Sequence, residues 1–464
     1  MSFKIVKTKF VPEIDADFKP LSLIFKDFQD EVNSNCDKEE LIISLLRGDN
    51  TVTKYSLSIF ASKTRDDENF SIAERVVKTL LWAKGGYKLY IYPERVGNYI
   101  KTIYSKDGER SFDAKFMGTI YENEFEVVPC ENICDMPKEN ETARKLGGHL
   151  DGCRVGFDAG ASDRKVAAVM NGEAVYDEEV VWDPRPQTNP DYHYNEIMTA
   201  VQTAADKMDG KVDAIGVSSA GVYINNKVMS ASLFRGISPE LFEKRIKNIF
   251  FDIKKAWNNV PLEVVNDGDV TALAGAMSLN DTAIIGVAMG SSEAAGYVTP
   301  EGTITNWLNE LAFVPVDGRE NAPIDEWSLD RGCGVQYFSQ QAVARLIPLA
   351  GIEVEEGLGF PEQLKVVQKL MENSDQRARK IYDAIGIYLG YALAWYANFY
   401  DFRHALILGR VTSGKGGPVI LNKAKEVLVD EFPHLAEKIS INLPDEKNRR
   451  VGQAIAAASL PEIS

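Results

Sequence analysis

Short apolar runs separated by polar and glycine-rich breaks mark the chain from end to end, and the spacing inside each run changes with the element it predicts. Leu21, Leu23, Ile24 and Phe25 stand among acidic residues in the first 36 positions and predict an arm packed on a larger body. LIISLL (41–46) and YSLSIF (55–60) read as strands. In SIAERVVKTLLWAKGG, Ile72, Val76, Leu80 and Ala83 recur at helical spacing, and Gly85–Gly86 is a helix stop. Strand-like sequence returns from Tyr87 to Ile91 and from Lys115 to Val128, which completes a small α+β domain. Lys138 to Leu150 is polar and predicts a helix bridging to the next domain.

At Cys153 the texture changes, and one plan occurs twice. RVGFDAGASDRKVAAVMNGEAVYDEEV reads as strand, small-residue loop (158–163), strand, Asn171–Gly172 turn, strand. AIIGVAMGSSEAAGYVTPEGTITNW repeats it with a loop over Gly290–Gly296 and a turn at Pro300–Gly302. Between the copies lies PLEVVNDGDVTALAGAM (261–277), where the strand residues Leu262, Val264 and Val265 give way at Asp267–Gly268 to small, helix-compatible residues. Ile381 to Tyr400, with Ile385, Leu389, Ala392 and Tyr396 on one face, predicts a buried helix.

Length and charge narrow the class. A chain of 464 residues accommodates about three domains, and the changes of texture divide it into an N-terminal α+β accessory domain over 1–150, a first lobe over 151–278 and a second over 279–464. The formal net charge is −16, of which residues 1–150 carry little, with 22 Lys+Arg against 25 Asp+Glu. No basic head or tail offers itself to nucleic acid. The five cysteines are odd in number and irregularly spaced, as in reduced thiols, and Cys130-x3-Cys134 lacks a second pair at finger spacing. MSFKIVKTKF has no apolar signal core and no run of 18 apolar residues occurs, so a cytoplasmic protein without a membrane partner is expected. His193, in the polar stretch PDYHY, reads as a surface histidine.

The candidate chemistry sits at the strand ends. Asn266 and Asp267 stand where a strand meets a helix, the place where ligands bind in open α/β sheets, and a carboxylate there can act as a general base. The simpler alternative is that Asp267 or Asp269 caps the helix. In the two loops, small residues such as Gly160 and Gly290 let backbone N–H groups approach phosphate oxygens, Ser162, Ser291 and Ser292 add hydroxyls, and Asp158 can hold Mg²⁺ through water. Arg47–Asp49 and Trp82 with Lys84 could line a polyol site, against the simpler reading of a turn and a packed helix end.

In order, VGFDAGAS, AIGVSSAGVY, VVNDGDVTALAGAM, MGSSEAAG, NELAFVPV, GCGVQYFSQQAVARL, HALILGRVTSGKGGPVILNKAKEVL and VGQAIAAASL resemble the motif series of the ROK family of sugar kinases and related repressors over about 153–464. The resemblance implies a two-lobed hexokinase/actin-like (ribonuclease H-like) α/β core and ATP-dependent phosphorylation of a sugar or sugar derivative. It implies Asp267 as catalytic base, Asn266, Gly221 and Glu310 at sugar hydroxyls, Asp158 assisting Mg²⁺, and Gly409, Arg410 and Gly414 in the adenosine loop. Partners would be the sugar and ATP, and a homodimer is compatible with it.

The chain also departs from that pattern. Phe313 stands at the motif histidine and only Cys333 is left of the cysteine cluster, so no zinc is expected. Val335 replaces the second sugar-binding glutamate, with Gln336 beside it as a partial substitute. Asp163 and Glu293 add negative charge to the phosphate loops, which Arg164, Lys165 and Arg410 could offset. These changes keep open a second function, a kinase-like protein that binds or senses a sugar or nucleotide without turnover.

Overall fold

The computed structural model describes residues 7–141, 146–160, 162–443 and 446–463. The chain divides into two compact units. The first holds Met1–Thr142, Val287–Ala295 and Trp307–Leu443, and the second holds Ala143–Gly286, Gly296–Asn306 and Pro444–Ser464. Each unit thus draws on more than one stretch of the chain. The N-terminal segment is built into the first of them. Phe25 packs edge-on against Trp395, Phe18 against Tyr388, and the Asp15 carboxylate pairs with Arg319 at 2.6 Å and Arg345 at 2.9 Å. Periodicity along one segment cannot reveal such long-range partners.

In the first unit, β1 (Lys38–Leu46), β2 (Val52–Phe60), β3 (Lys88–Tyr92) and β4 (Glu126–Pro129) form a sheet of order β2-β1-β3-β4. The helix Asp66–Lys84 accompanies it and stops at Gly85, whose φ of 80° suits glycine. Much of the expected strand over 115–128 is instead the helix Ser111–Ile120, which buries Ala114, Met117 and Ile120. A spacing of three keeps these residues on one face of a helix and would place them alternately on opposite faces of a strand, so the local pattern there is helical. The helix expected over 138–150 falls partly on 142–145, outside the described residues. Its described flanks form isolated bridges, Asn140 with Val52 and Leu146 with Ile304.

The second unit is built on β5 (Cys153–Ala159), β6 (Asp163–Met170), β7 (Glu173–Val181), β8 (Ala214–Ser219), β9 (Val222–Ile224), β10 (Lys227–Ser230) and β11 (Leu262–Asn266). Five of these form a sheet of order β11-β8-β5-β6-β7, in which β11, β8 and β5 are parallel, while β9 and β10 make a separate hairpin. Val155, Phe157, Ile215, Val217 and Leu262 build its core. The closing helix Glu446–Ala458 lies against the sheet where Gly156 and Gly216 are neighbours in register. A Cβ on either would collide with the carbonyl of Ala454 or Ala457. These two glycines let helix and sheet backbones touch.

The second hairpin gives β12 (Ile284–Met289) and β13 (Glu293–Val298), which join β14 (His404–Leu408) and β15 (Ser440–Asn442) in the order β13-β12-β14-β15. Its expected third strand is reduced to one bridge, Val298 with Ile304. The buried helix spans Gln376–Tyr396. His193 is a core residue rather than a surface one, fully buried with Nε2 against the carbonyls of Pro184 and Leu233 at 3.1 and 3.2 Å. Among the described residues no helix is long and apolar enough to cross a membrane.

Candidate active site

The parallel strands of the second unit end together. Register places Asp158 beside Ser218 and Ser218 beside Val265, and one step on, Ala159, Ser219 and Asn266 are in line. Apolar residues fill the bodies of these strands, so the polar residues fall at their carboxyl ends, where the chain turns into loops or a helix. That edge collects Asp158, Ser218, Ser219, Asn266 and Asp267.

Asn266, not Asp267, caps the following helix. Its Oδ1 accepts from the Gly268 N–H at 2.7 Å, while its Nδ2 donates to the Gly221 carbonyl at 2.8 Å. Asp269, the other candidate cap, is buried and accepts from the Tyr297 N–H at 3.0 Å. Asp267 is the first helical residue and is half-buried. Its carboxyl is pushed up to about 6, chiefly by burial and then by the charge of nearby Asp158, with backbone N–H groups opposing. A carboxylate tuned toward neutrality, and not consumed as a helix cap, has the properties of a general base.

Asp158 is deeply buried at the end of β5. The Ser218 hydroxyl donates to its Oδ1 at 2.7 Å, and Lys165 Nζ lies 3.7 Å from Oδ2. Burial raises its proton affinity while Ser218 and Lys165 hold it down. Lys165 also pairs with Asp163 at 2.9 Å, which answers the expected repulsion from that loop aspartate. Arg164 turns to Glu196 instead, at 2.8 Å. In the loop, Gly160 has no room for a Cβ beside the Asp163 carbonyl, and its own carbonyl accepts from Trp182 Nε1 at 2.8 Å. Ser162 is exposed and donates to Asp163 at 3.1 Å; Ala161 lies outside the described residues. Gly221 has φ 133°, and a Cβ there would meet the Ser230 carbonyl at 2.5 Å, so its part in any binding is through the backbone. Ser218, and the Tyr223 hydroxyl bonded to Ser219 Oγ at 2.6 Å, were missed in the sequence. The polar pair closing AIGVSS was the available signal.

The remaining candidates belong to the first unit. The Gly290 N–H donates to the Ser292 carbonyl at 2.9 Å in a tight turn, and Ser291 and Ser292 are exposed. Gly409, at φ 102°, presses on the Met289 backbone, Arg410 is exposed, and Gly414 has φ 69°. Glu310 is half-buried and its N–H donates to the Trp82 carbonyl at 2.9 Å. Gln336 is enclosed, its amide donating to Gln341 at 2.9 Å. The residues weighed for a polyol site are built into the packing: Arg47 pairs with Glu141 at 2.5 Å, and Lys84 Nζ sits over the rings of Trp307 and Tyr400.

Glu293 requires a correction. It does not add charge to the second small-residue loop but turns into the interior, 3% exposed, with Oε1 3.5 Å from the Tyr396 hydroxyl and Oε2 unpartnered against Gly334. Burial above all, and then neighbouring Glu310, push it up to about 8, so it is mostly protonated at neutral pH.

Phe313 stacks on Trp82 with ring centres 4.1 Å apart, and Cys333 is fully buried, its thiol pushed up by burial and then by Asp330. Among the described residues no group of three or more His, Cys, Asp or Glu is placed to hold a metal ion. An aromatic ring at the histidine position supplies no ligand. Elemental analysis of the purified protein is expected to find no stoichiometric zinc, and one zinc per chain would contradict this.

No protein-family model and no curated protein matches the sequence. Solved structures do. The ROK hexokinase from Thermus thermophilus is similar with a TM-score of 0.53 at 14% identity, over 67% of this chain and 97% of that one. A ROK-family transcriptional regulator, described as a homologue of the E. coli MLC protein, is similar with a TM-score of 0.50 at 15% identity, over 71% of this chain and 83% of that one. The motif resemblance is thus borne out in the fold, and the chain has the two-lobed hexokinase-like α/β architecture of ROK proteins.

Proposed function

We propose, from a chain with the fold shared by ROK hexokinases and regulators, that it is an ATP-dependent kinase acting on a hydroxyl of a sugar or sugar derivative. The observation that carries this reading is Asp267, left uncapping by Asn266 and raised by burial and by Asp158. Asp267 takes the proton as the sugar oxygen attacks the γ-phosphorus, the new O–P bond forms, and the bond to ADP breaks. Asp158 fits a metal held through water, since it is a carboxylate with one oxygen fixed by Ser218 and oxygen donors suit Mg²⁺. Bound Mg²⁺ would neutralise charge on the phosphates.

Asn266, Gly221, Glu310 and Gln336 are proposed for the sugar. Gly160, Ser162, Gly290, Ser291 and Ser292 are proposed for phosphate, and Gly409, Arg410 and Gly414 for adenosine. The tight backbone at Gly160, Gly290 and Gly409 supports the last two groups. A cytoplasmic location belongs to the same proposal. Isothermal titration with ATP·Mg tests nucleotide binding, which is expected at micromolar to millimolar Kd, about −8 to −4 kcal/mol. No binding at millimolar nucleotide would sink the reading.

The rate should follow the ionisation of Asp267. Only its deprotonated form accepts a proton, so kcat/KM is expected to plateau above neutrality and to fall below pH about 6, approaching about tenfold per pH unit. A profile flat to pH 5 would remove Asp267 from the role.

A second reading is a sensor that binds without turnover. It is favoured by Gln336, whose amide is engaged by Gln341, and by the likeness to a ROK regulator. Nucleotide or sugar binding with no phosphoryl transfer would establish it.

A further inference from the structure

In the first unit the carboxyl end of the helix Asp66–Lys84 lies against the segment that carries Glu310. A helix leaves its last carbonyls without intrahelical partners. The Leu81 carbonyl is answered next door, by the Gly85 N–H at 2.9 Å. The following two are answered from far along the chain: the Trp82 carbonyl accepts from the Glu310 N–H at 2.9 Å and the Ala83 carbonyl from the Asn309 N–H at 3.0 Å. Successive N–H groups of an extended chain point to opposite sides, so both reach one helix end only where the chain is bent. Asn309 supplies the bend with φ 52°, a left-handed conformation that asparagine tolerates. Its buried side chain adds a third tie, with Oδ1 accepting from the Tyr400 hydroxyl at 3.0 Å, and that hydroxyl also lies 3.4 Å from the Ala83 carbonyl.

The other side of Glu310 is fixed by rings. Phe313 closes a turn through its N–H to the Glu310 carbonyl at 3.2 Å and stacks on Trp82. Trp82 is fully buried and pinned in turn, because its Nε1 donates to Asp113 at 3.0 Å and Lys78 holds the Asp113 carboxylate at 3.0 Å. Glu310 therefore stands between two attachments to the last turn of one helix, with its own N–H bonded to that turn. We propose, resting on the assignment of Glu310 to the sugar, that this helix end is the mount of Glu310, and that Trp82, Asn309 and Tyr400 are positioning residues that set where its carboxylate meets a sugar hydroxyl. The N-terminal segment thereby takes part in sugar recognition. A carboxylate on a half-buried turn makes a directional contact only while the turn is held, and a misplacement of about 1 Å at such a contact can cost about 10²-fold.

Calorimetric titration of the full chain with glucose, mannose, galactose and glucosamine, and separately with ATP·Mg, tests the proposal. The wild type is expected to bind at least one of these sugars. Tyr400→Phe, which deletes one hydroxyl and keeps the ring, and Trp82→Leu, which deletes the stack, should each weaken that sugar by about tenfold or more while the affinity for ATP·Mg stays within about twofold. Trp82→Phe should recover most of the loss. Like leucine it gives up the bond to Asp113, but it keeps a ring on Phe313. Thermal melting shows whether Trp82→Leu is folded, and Tyr400→Phe carries the comparison if it is not. Glu310→Gln separates the mount from the sugar assignment beneath it. If Glu310→Gln loses the sugar and the mount variants do not, if Trp82→Phe binds as weakly as Trp82→Leu, or if sugar and nucleotide weaken together, the mount is overturned and Glu310 keeps its role. If Glu310→Gln binds sugar as the wild type does, or the wild type binds none of the four, the sugar assignment falls and the mount falls with it.

Discussion

Asp267→Asn is expected to lower turnover by about 10²–10⁴-fold while leaving nucleotide affinity nearly unchanged. The amide keeps the shape of the carboxylate but cannot accept a proton. Helix stability should also survive, because Asn266 caps the helix and Asp269 pins its first turn to Tyr297. The substitution therefore isolates proton acceptance from folding, which steady-state rates and ATP·Mg titration on the same samples can verify. A mutant retaining more than about a third of an active wild type's rate would leave Asp267 without the general-base role.

Glu293→Gln is expected to stabilise the protein at pH 8 and to flatten its dependence on pH. The wild-type carboxyl is raised from 4.5 to about 8 by burial and by Glu310. A group raised in this way binds its proton more tightly in the folded state. Its stability is fully present below the unfolded value near 4.5 and is lost as pH climbs toward 8. At about 1.4 kcal/mol per unit, the loss at pH 8 is on the order of 4 kcal/mol. Glutamine stays neutral and avoids it. The groups facing Glu293 are Tyr396 and Glu310, and Tyr396 ionises too high to contribute in this window. Urea unfolding of both proteins from pH 5 to 9 measures the effect. Parallel curves across that range would mean that Glu293 reaches solvent and its charge.

The polar edge at the strand ends was legible in the sequence to the extent that its signals were local. A run such as LEVVND contains both the strand and the polar residues that end it, so Asn266 and Asp267 could be placed at a strand terminus before any fold was known. Their division of labour was not legible, because either side chain can cap. Only the orientation of the Asn266 amide, toward Gly268 and Gly221, decides. Long-range features were hidden for the same reason. Glu293 looks like a loop charge until Tyr396 and Gly334, far away in sequence, close over it. His193 sits among polar neighbours in sequence and among buried carbonyls in space. In the helix Ser111–Ile120 the buried Ala114, Met117 and Ile120 recur every three residues, a helical spacing overshadowed in the sequence by the strand-favouring Phe125, Val127 and Val128 that follow.

The central claim, that this chain transfers phosphate from ATP to a sugar hydroxyl with Asp267 as base, is tested most directly by ³¹P NMR of wild type and Asp267→Asn incubated with ATP·Mg and a panel of hexoses and hexosamines. The account predicts a sugar-phosphate resonance growing in step with ADP for the wild type on at least one sugar, and nearly none for the mutant. Binding of ATP without any sugar phosphate from the wild type, or equal product from both proteins, would contradict it.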